Sequence, residues 1–134
     1  MKIIIAGAGK IGSSVAELLS EEGHDITVID RNPQTISHLS NALDVICVEG
    51  SITNSQTLLE AGAAHADLLF AASRYDEVNM VCGISAAKLG TANVIARIRD
   101  PEYLSQAEFL RDVLGLNITV NPEYECAKEI SRIL

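Results

Sequence analysis

"KIIIAGAGKIGSSVAELL", residues 2–19, sets three glycines, Gly7, Gly9 and Gly12, between an apolar run and an amphipathic one. The run "KIIIA" (2–6) reads as a strand. Residues 10–22 bring Ile11, Val15, Leu18 and Leu19 onto one face at helical spacing. Gly-x-Gly-x-x-Gly on its own is a weak signal; between a strand and a helix it gains the context it needs. There the first glycine permits a tight turn, the second lets backbone approach a pyrophosphate, and the third lets the helix lie close to the strand. The helix start adds unpaired N–H groups and the positive end of a dipole. The competing reading is a structural turn that holds nothing.

Moving outward, "DITVID" (25–30) reads as the next strand and ends on Asp30. An acid about 20 residues beyond the glycines fits a nucleotide-binding turn. Its carboxylate can accept hydrogen bonds from both adenosine-ribose hydroxyls, and its charge opposes a 2′-phosphate, so NAD is expected over NADP. Arg31 either softens that preference or is simply exposed.

The same alternation continues. Strands are expected at 44–50, 67–72, 93–98 and 117–120. Between them lie a helix opened by Pro33, a short one at 55–62, a long one from about Glu77 to Leu89, and one from Pro101 to about Leu114. Pro122 opens a last helix. Right-handed crossovers then give an α/β fold: a Rossmann-like, doubly wound, six-stranded parallel sheet with helices on both faces. The expected order is 3-2-1-4-5-6, with a ligand crevice at the carboxyl ends of the first and fourth strands. The whole of 1–134 is expected to be one domain, the N-terminal part of a longer protein. The end "EISRIL" carries Ile130, Ile133 and Leu134 as an apolar edge, as expected of a chain cut mid-protein or a helix that packs on a partner.

Bulk properties narrow the function. The apolar share is 48% of 134 residues, enough for a core. Aromatics are only 4%, which suits small aliphatic side chains packed on a parallel sheet. The formal charge of -8 argues against nucleic acid as a partner. Cys47, Cys82 and Cys126 are widely spaced, with no Cys-x-x-Cys, so neither a metal site nor a disulfide framework is expected. Reduced thiols imply a cytoplasmic protein. No apolar run approaches the ~20 residues of a membrane span, and no signal peptide is recognisable.

No catalytic residue emerges. His24, His38 and His65 all fall away from the expected crevice. Tyr124 and Lys128 share a helical face at i and i+4, like the catalytic pair of short-chain dehydrogenases, but the helix they occupy is remote from the glycine loop. Without an acid, a base or a substrate domain, a bound nucleotide is expected to be sensed, not transformed.

Several segments together carry a resemblance: "IIIAGAGKIGSSVAELLSEEGHDITVID", "VEGSITNSQTLLEAGAAHAD", "AASRYDEVNMVCGISAAKLG", "ARIRDPEY" and "NPEYECAKEI". Across essentially its whole length the chain resembles the N-terminal nucleotide-binding domain, called TrkA-N, KTN or RCK, of the peripheral subunits of Trk-type potassium uptake systems. The resemblance implies a regulatory, non-enzymatic role, with NAD(H) as first expectation and ATP or ADP as the second. It implies a homodimer that assembles into a tetrameric or octameric ring. The ring would sit on the cytoplasmic face of an integral-membrane potassium transporter or channel and gate it. It also implies that Gly7, Gly9, Lys10, Ile11 and Gly12 line the pyrophosphate, and that Asp30 and Arg31 meet the ribose. Gly50 and Ser51 would flank the adenine, and Ala72 and Ser73 the far half of the ligand. Arg74, Glu77 and Asn79 fall in the family's "DExN" stretch, and Arg97 in its "ARI" strand, facing the crevice.

The chain departs from the family where Gly-Asp usually follows the third strand: here Ser51 replaces the acid, and a carboxylate beside the adenine is lost. Ser73 likewise stands for the usual threonine. Read from the residues, Arg97 also fits a surface or interstrand charge. Glu77 and Asn79 also fit ordinary helix N-terminal chemistry, and the apolar "VNMVCGISAAKL" fits core packing. The second functional expectation is the cofactor-binding half of an NAD-dependent oxidoreductase.

Overall fold

The computed structural model describes residues 1–119. The helix expected from Pro122, with Tyr124, Lys128 and the apolar edge at Ile130, lies outside the described residues.

Twelve elements follow in the order β1 (Lys2–Ala6), α1 (Lys10–Glu21), β2 (Asp25–Asp30), α2 (Pro33–Ala42), β3 (Ile46–Glu49), α3 (Ser55–Glu60), β4 (Leu68–Ala71), α4 (Asp76–Leu89), β5 (Asn93–Arg97), α5 (Pro101–Leu104), α6 (Ala107–Leu114) and β6 (Asn117–Thr119). All strands pair in parallel, in the order β3-β2-β1-β4-β5-β6. This is the expected doubly wound sheet. The first three strands build outward in one direction from β1 and the last three in the other, so the chain reverses between β1 and β4.

The central strands are buried on both faces, which is why "KIIIA" and "LLFA" show no polar alternation. Ile3 and Ile5 pack with Val15, Ala16 and Leu19 of α1 and Leu39 of α2. Ile4, Ala6, Leu69 and Ala71 face the other way, onto Leu58 of α3 and Cys82 and Ala86 of α4. The small residues of α4 allow close approach. A Cβ on Gly83 would lie 2.9 Å from Leu116 and 3.1 Å from Val94. The outward side of α4 leaves Val81 and Ile84 exposed.

One expectation is corrected. The single helix from Pro101 to about Leu114 is two helices with a break at Ser105 and Gln106. The Ser105 hydroxyl donates to the Glu102 carbonyl at 2.9 Å, and the Gln106 amide donates to the same carbonyl at 3.3 Å. These local bonds compete with continuation of the helix.

Candidate functional site

The site begins with how helices start. Asn32, Asn54 and Asp100 cap α2, α3 and α5, each side-chain oxygen accepting a backbone N–H two residues on. α1 has no such cap, because its N-cap residue is Gly9. The first N–H groups of a helix have no partner within it, so α1 presents bare donors where it leaves β1.

The three glycines are glycines for three different reasons. Gly7 adopts φ +105°, and a Cβ there would lie 3.0 Å from the Ser73 backbone nitrogen. Gly12 lies against the loop itself: a Cβ would run into the Gly7 carbonyl and sit 3.3 Å from the Ile5 side chain. Gly9 has an ordinary extended backbone, φ −71° and ψ −162°. A Cβ on it would meet nothing within 4 Å. Nothing in the fold demands a glycine at position 9; the space before it is open.

That space is a cleft of about 690 Å³ above the carboxyl ends of the strands. Gly7, Gly9, Lys10 and Ile11 form its floor. Asp30 and Arg31 line it from the end of β2, Ser51 from beyond β3, Ala72, Ser73 and Arg74 from beyond β4, and Arg97 from β5. Eleven of the fifteen residues expected at the site are thus brought together.

The other four stand behind the wall. Gly12 seats α1 on the loop. Gly50 makes room for Thr57, whose side chain a Cβ would approach to 2.8 Å. Asn79, fully buried, accepts from the Ser73 N–H at 2.8 Å and the Ser73 hydroxyl at 2.7 Å. Its amide donates to the carbonyls of Ser73 at 2.9 Å and Arg97 at 2.8 Å, pinning the ends of β4 and β5 together. Glu77 is exposed and accepts the Tyr103 hydroxyl at 2.6 Å, which holds α5 to α4. This bond lowers the Glu77 pKa and pushes Tyr103 up to about 12.

Asp30 is fixed before any ligand arrives. One carboxylate oxygen accepts the Ala8 N–H and the other the Asn32 N–H, both at 2.9 Å. Each oxygen keeps a further lone pair for a hydroxyl. The Arg97 guanidinium donates to the Ser73 carbonyl at 3.3 Å. Asp76, largely buried at the start of α4, accepts the backbone N–H groups of Arg99 and Asp100 at 3.0 and 2.7 Å.

Sequence reading missed Asn32, Ile52, Thr53, Tyr75, Val78 and Arg99, which also line the cleft. Most are next-door neighbours of expected residues, so the loops after β2, β3 and β4 were the available signal. The His24 side chain lies 3.7 Å from Glu22, before β2. His38 is on α2 and His65 precedes β4; none of the three lines the cleft. Among the described residues no cluster of His, Cys, Asp and Glu fits a metal ion, and no helix is long and apolar enough to cross a membrane.

A family model described as the TrkA-N domain matches residues 3–122. The Trk system potassium uptake protein TrkA of Vibrio alginolyticus is 38% identical over 137 residues, and a TrkA homolog of Archaeoglobus fulgidus is 34% identical over 134. Each match takes in 100% of this chain but 30% of the relative, so the chain spans under a third of their length. Among solved structures, the TrkA-N domain of inner membrane protein YbaL from Escherichia coli has a TM-score of 0.78 at 21% identity, over 99% of this chain and 96% of that one. The GsuK channel bound to NAD has a TM-score of 0.73 at 24% identity, over 88% of this chain and 21% of that one. At these identities the structures support the fold.

Proposed function

The chain belongs to the TrkA-N domain family, and from that premise we propose that it is a nucleotide-sensing regulatory domain that gates a membrane potassium transporter or channel. It binds an adenosine nucleotide, NAD(H) or ATP/ADP, in the cleft above β1 and β4. The bare N–H groups of α1 and the backbone of Gly7, Gly9, Lys10 and Ile11 hold the diphosphate. Asp30 accepts the ribose hydroxyls, with Arg31 beside it, and Ser51 reaches the adenine. Ala72, Ser73, Arg74 and Arg97 take the far half. Gly12, Gly50, Glu77 and Asn79 keep that wall in place from behind.

One observation carries this reading: Gly9 faces open space with unstrained backbone, so its lack of a side chain serves something the fold itself does not contain. A regulatory role is favoured over the oxidoreductase reading because the relatives are potassium uptake proteins and, among the described residues, the cleft lining holds no histidine or cysteine. The partners proposed are a second copy of the chain, in a dimer or larger ring, and an integral-membrane potassium transporter on its cytoplasmic side. Thermal-shift titration with NAD⁺, NADH, ATP and ADP tests the binding step, since a ligand specific to the folded state raises the melting temperature by mass action. Stabilisation by none of the four at millimolar concentration would refute it.

A further inference from the structure

Charge is distributed unevenly along the cleft. Its lining holds five cations, Lys10, Arg31, Arg74, Arg97 and Arg99, against one carboxylate, Asp30, in a chain whose net charge is -8. Asp30 lies at the end of β2, while Arg74 follows β4, Arg97 ends β5 and Arg99 lies just beyond it. β2 and β4 are two strand spacings apart, about 10 Å. A ligand whose ribose is fixed at Asp30 therefore runs across the glycine loop toward a cationic far wall.

Arg74 is placed to use that charge. Its guanidinium carbon sits 5.3 Å from the centre of the Tyr75 ring, and both side chains are exposed. Contact with the ring face restrains the guanidinium and leaves its N–H edge available. Among the described residues neither Arg74 nor Arg99 forms an ion pair. Planar N–H forks match the oxygens of a phosphate and bind it in bidentate fashion. The far half of NAD⁺ is a ribose bearing a cationic ring, and that of NADH is neutral; neither supplies the counter-charge.

We infer that the cleft is selective for an adenosine polyphosphate over a dinucleotide, with Arg74, held on Tyr75, reading the terminal phosphate together with Arg99. This rests on the reading of the cleft as an adenosine-nucleotide site and names the ligand class within it.

The test is calorimetric titration of the 134-residue chain with ATP, ADP, AMP, NAD⁺ and NADH in magnesium-free buffer at low and high salt. Affinity rises from AMP through ADP to ATP, and ATP binds more tightly than either dinucleotide. Added salt weakens ATP more than AMP, as screening of extra charge contacts requires. Arg74→Gln lowers the ATP-to-AMP affinity ratio about tenfold, and Arg74→Lys lowers it less, because charge survives without the fork. Arg74 is exposed, so both variants fold. An unchanged ratio in Arg74→Gln, or NAD⁺ binding as tightly as ATP, overturns the inference while AMP binding leaves the nucleotide reading standing. Failure of AMP and every other nucleotide to bind overturns both.

Discussion

Gly9 and Gly12 sit three residues apart in one motif, yet substitution should separate them completely. Gly9→Val places its Cβ where, its chain neighbours aside, nothing of the protein lies within 4 Å, on a backbone that any residue adopts. The fold loses only the modest advantage of glycine over valine at an N-cap, about 1 kcal/mol, or roughly 4 °C in melting temperature. Binding loses far more. The new side chain holds a phosphate away from the N–H groups at the start of α1. Charge-assisted hydrogen bonds contribute about 1.5–3 kcal/mol each. Losing two removes about 3–6 kcal/mol, a factor of roughly 10²–10⁴ in affinity. Gly12→Ala does the reverse. Its methyl meets the Gly7 carbonyl, which is backbone and has nowhere to go. Overpacking of this kind costs about 3 kcal/mol. Urea denaturation and calorimetric titration with ATP and NADH, run on both variants, measure the two effects independently. Wild-type affinity in Gly9→Val would refute the reasoning, and so would a Gly9→Val chain that fails to fold, since the glycine would then be serving the structure.

Asp30→Ala is expected to weaken every adenosine nucleotide by about 1.5–3 kcal/mol; because Asp30 also accepts from Ala8 and Asn32, the urea midpoint should fall as well. Full affinity on titration would remove Asp30 from the site. Asn79→Ala strips four hydrogen bonds from a buried position and should cost about 3 kcal/mol or more by urea titration; a loss under about 1 kcal/mol would mean water replaces the amide. Burial pushes the Cys82 thiol up to about 12, so above pH 9 the unfolded chain releases a proton that the folded chain keeps, and stability falls as pH rises through that window. The decline between pH 8 and pH 10.5 should be smaller in Cys82→Ala; equal declines would show that the thiol does not contribute.

The sheet order was legible because the sequence punctuates itself. Every apolar run but β4 is closed by glycine, proline or a capping Asn or Asp, and β1 and β4 are apolar throughout, as strands covered on both faces must be. The split of α5 from α6 was not legible. It depends on where the Ser105 hydroxyl and the Gln106 amide point, and the apolar spacing of 101–114 is silent on that. In the candidate site, the residues on the glycine loop and at the strand ends were readable because a motif fixes their position relative to the sheet. Arg99 and Tyr75 were not, since their place on the cleft wall depends on how the loops after β4 and β5 fold back. Gly50 and Asn79 illustrate the reverse: a motif position can be demanded by packing or by hydrogen bonding one layer behind the surface that the motif suggests.

The side chains at the start of α4 give that helix the properties of a lever. Asn79 clamps it to the loop after β4 and to the last carbonyl of β5, while Asp76 grips the two N–H groups just beyond. The fulcrum is therefore at the cleft, and the arm is a rigid rod of fourteen residues, about 21 Å long. A tilt of a few degrees imposed at the near end becomes a displacement of about an ångström at the far end. Small strain at the cleft wall is thereby amplified by geometry alone, with the exposed Val81 and Ile84 carried along the shaft.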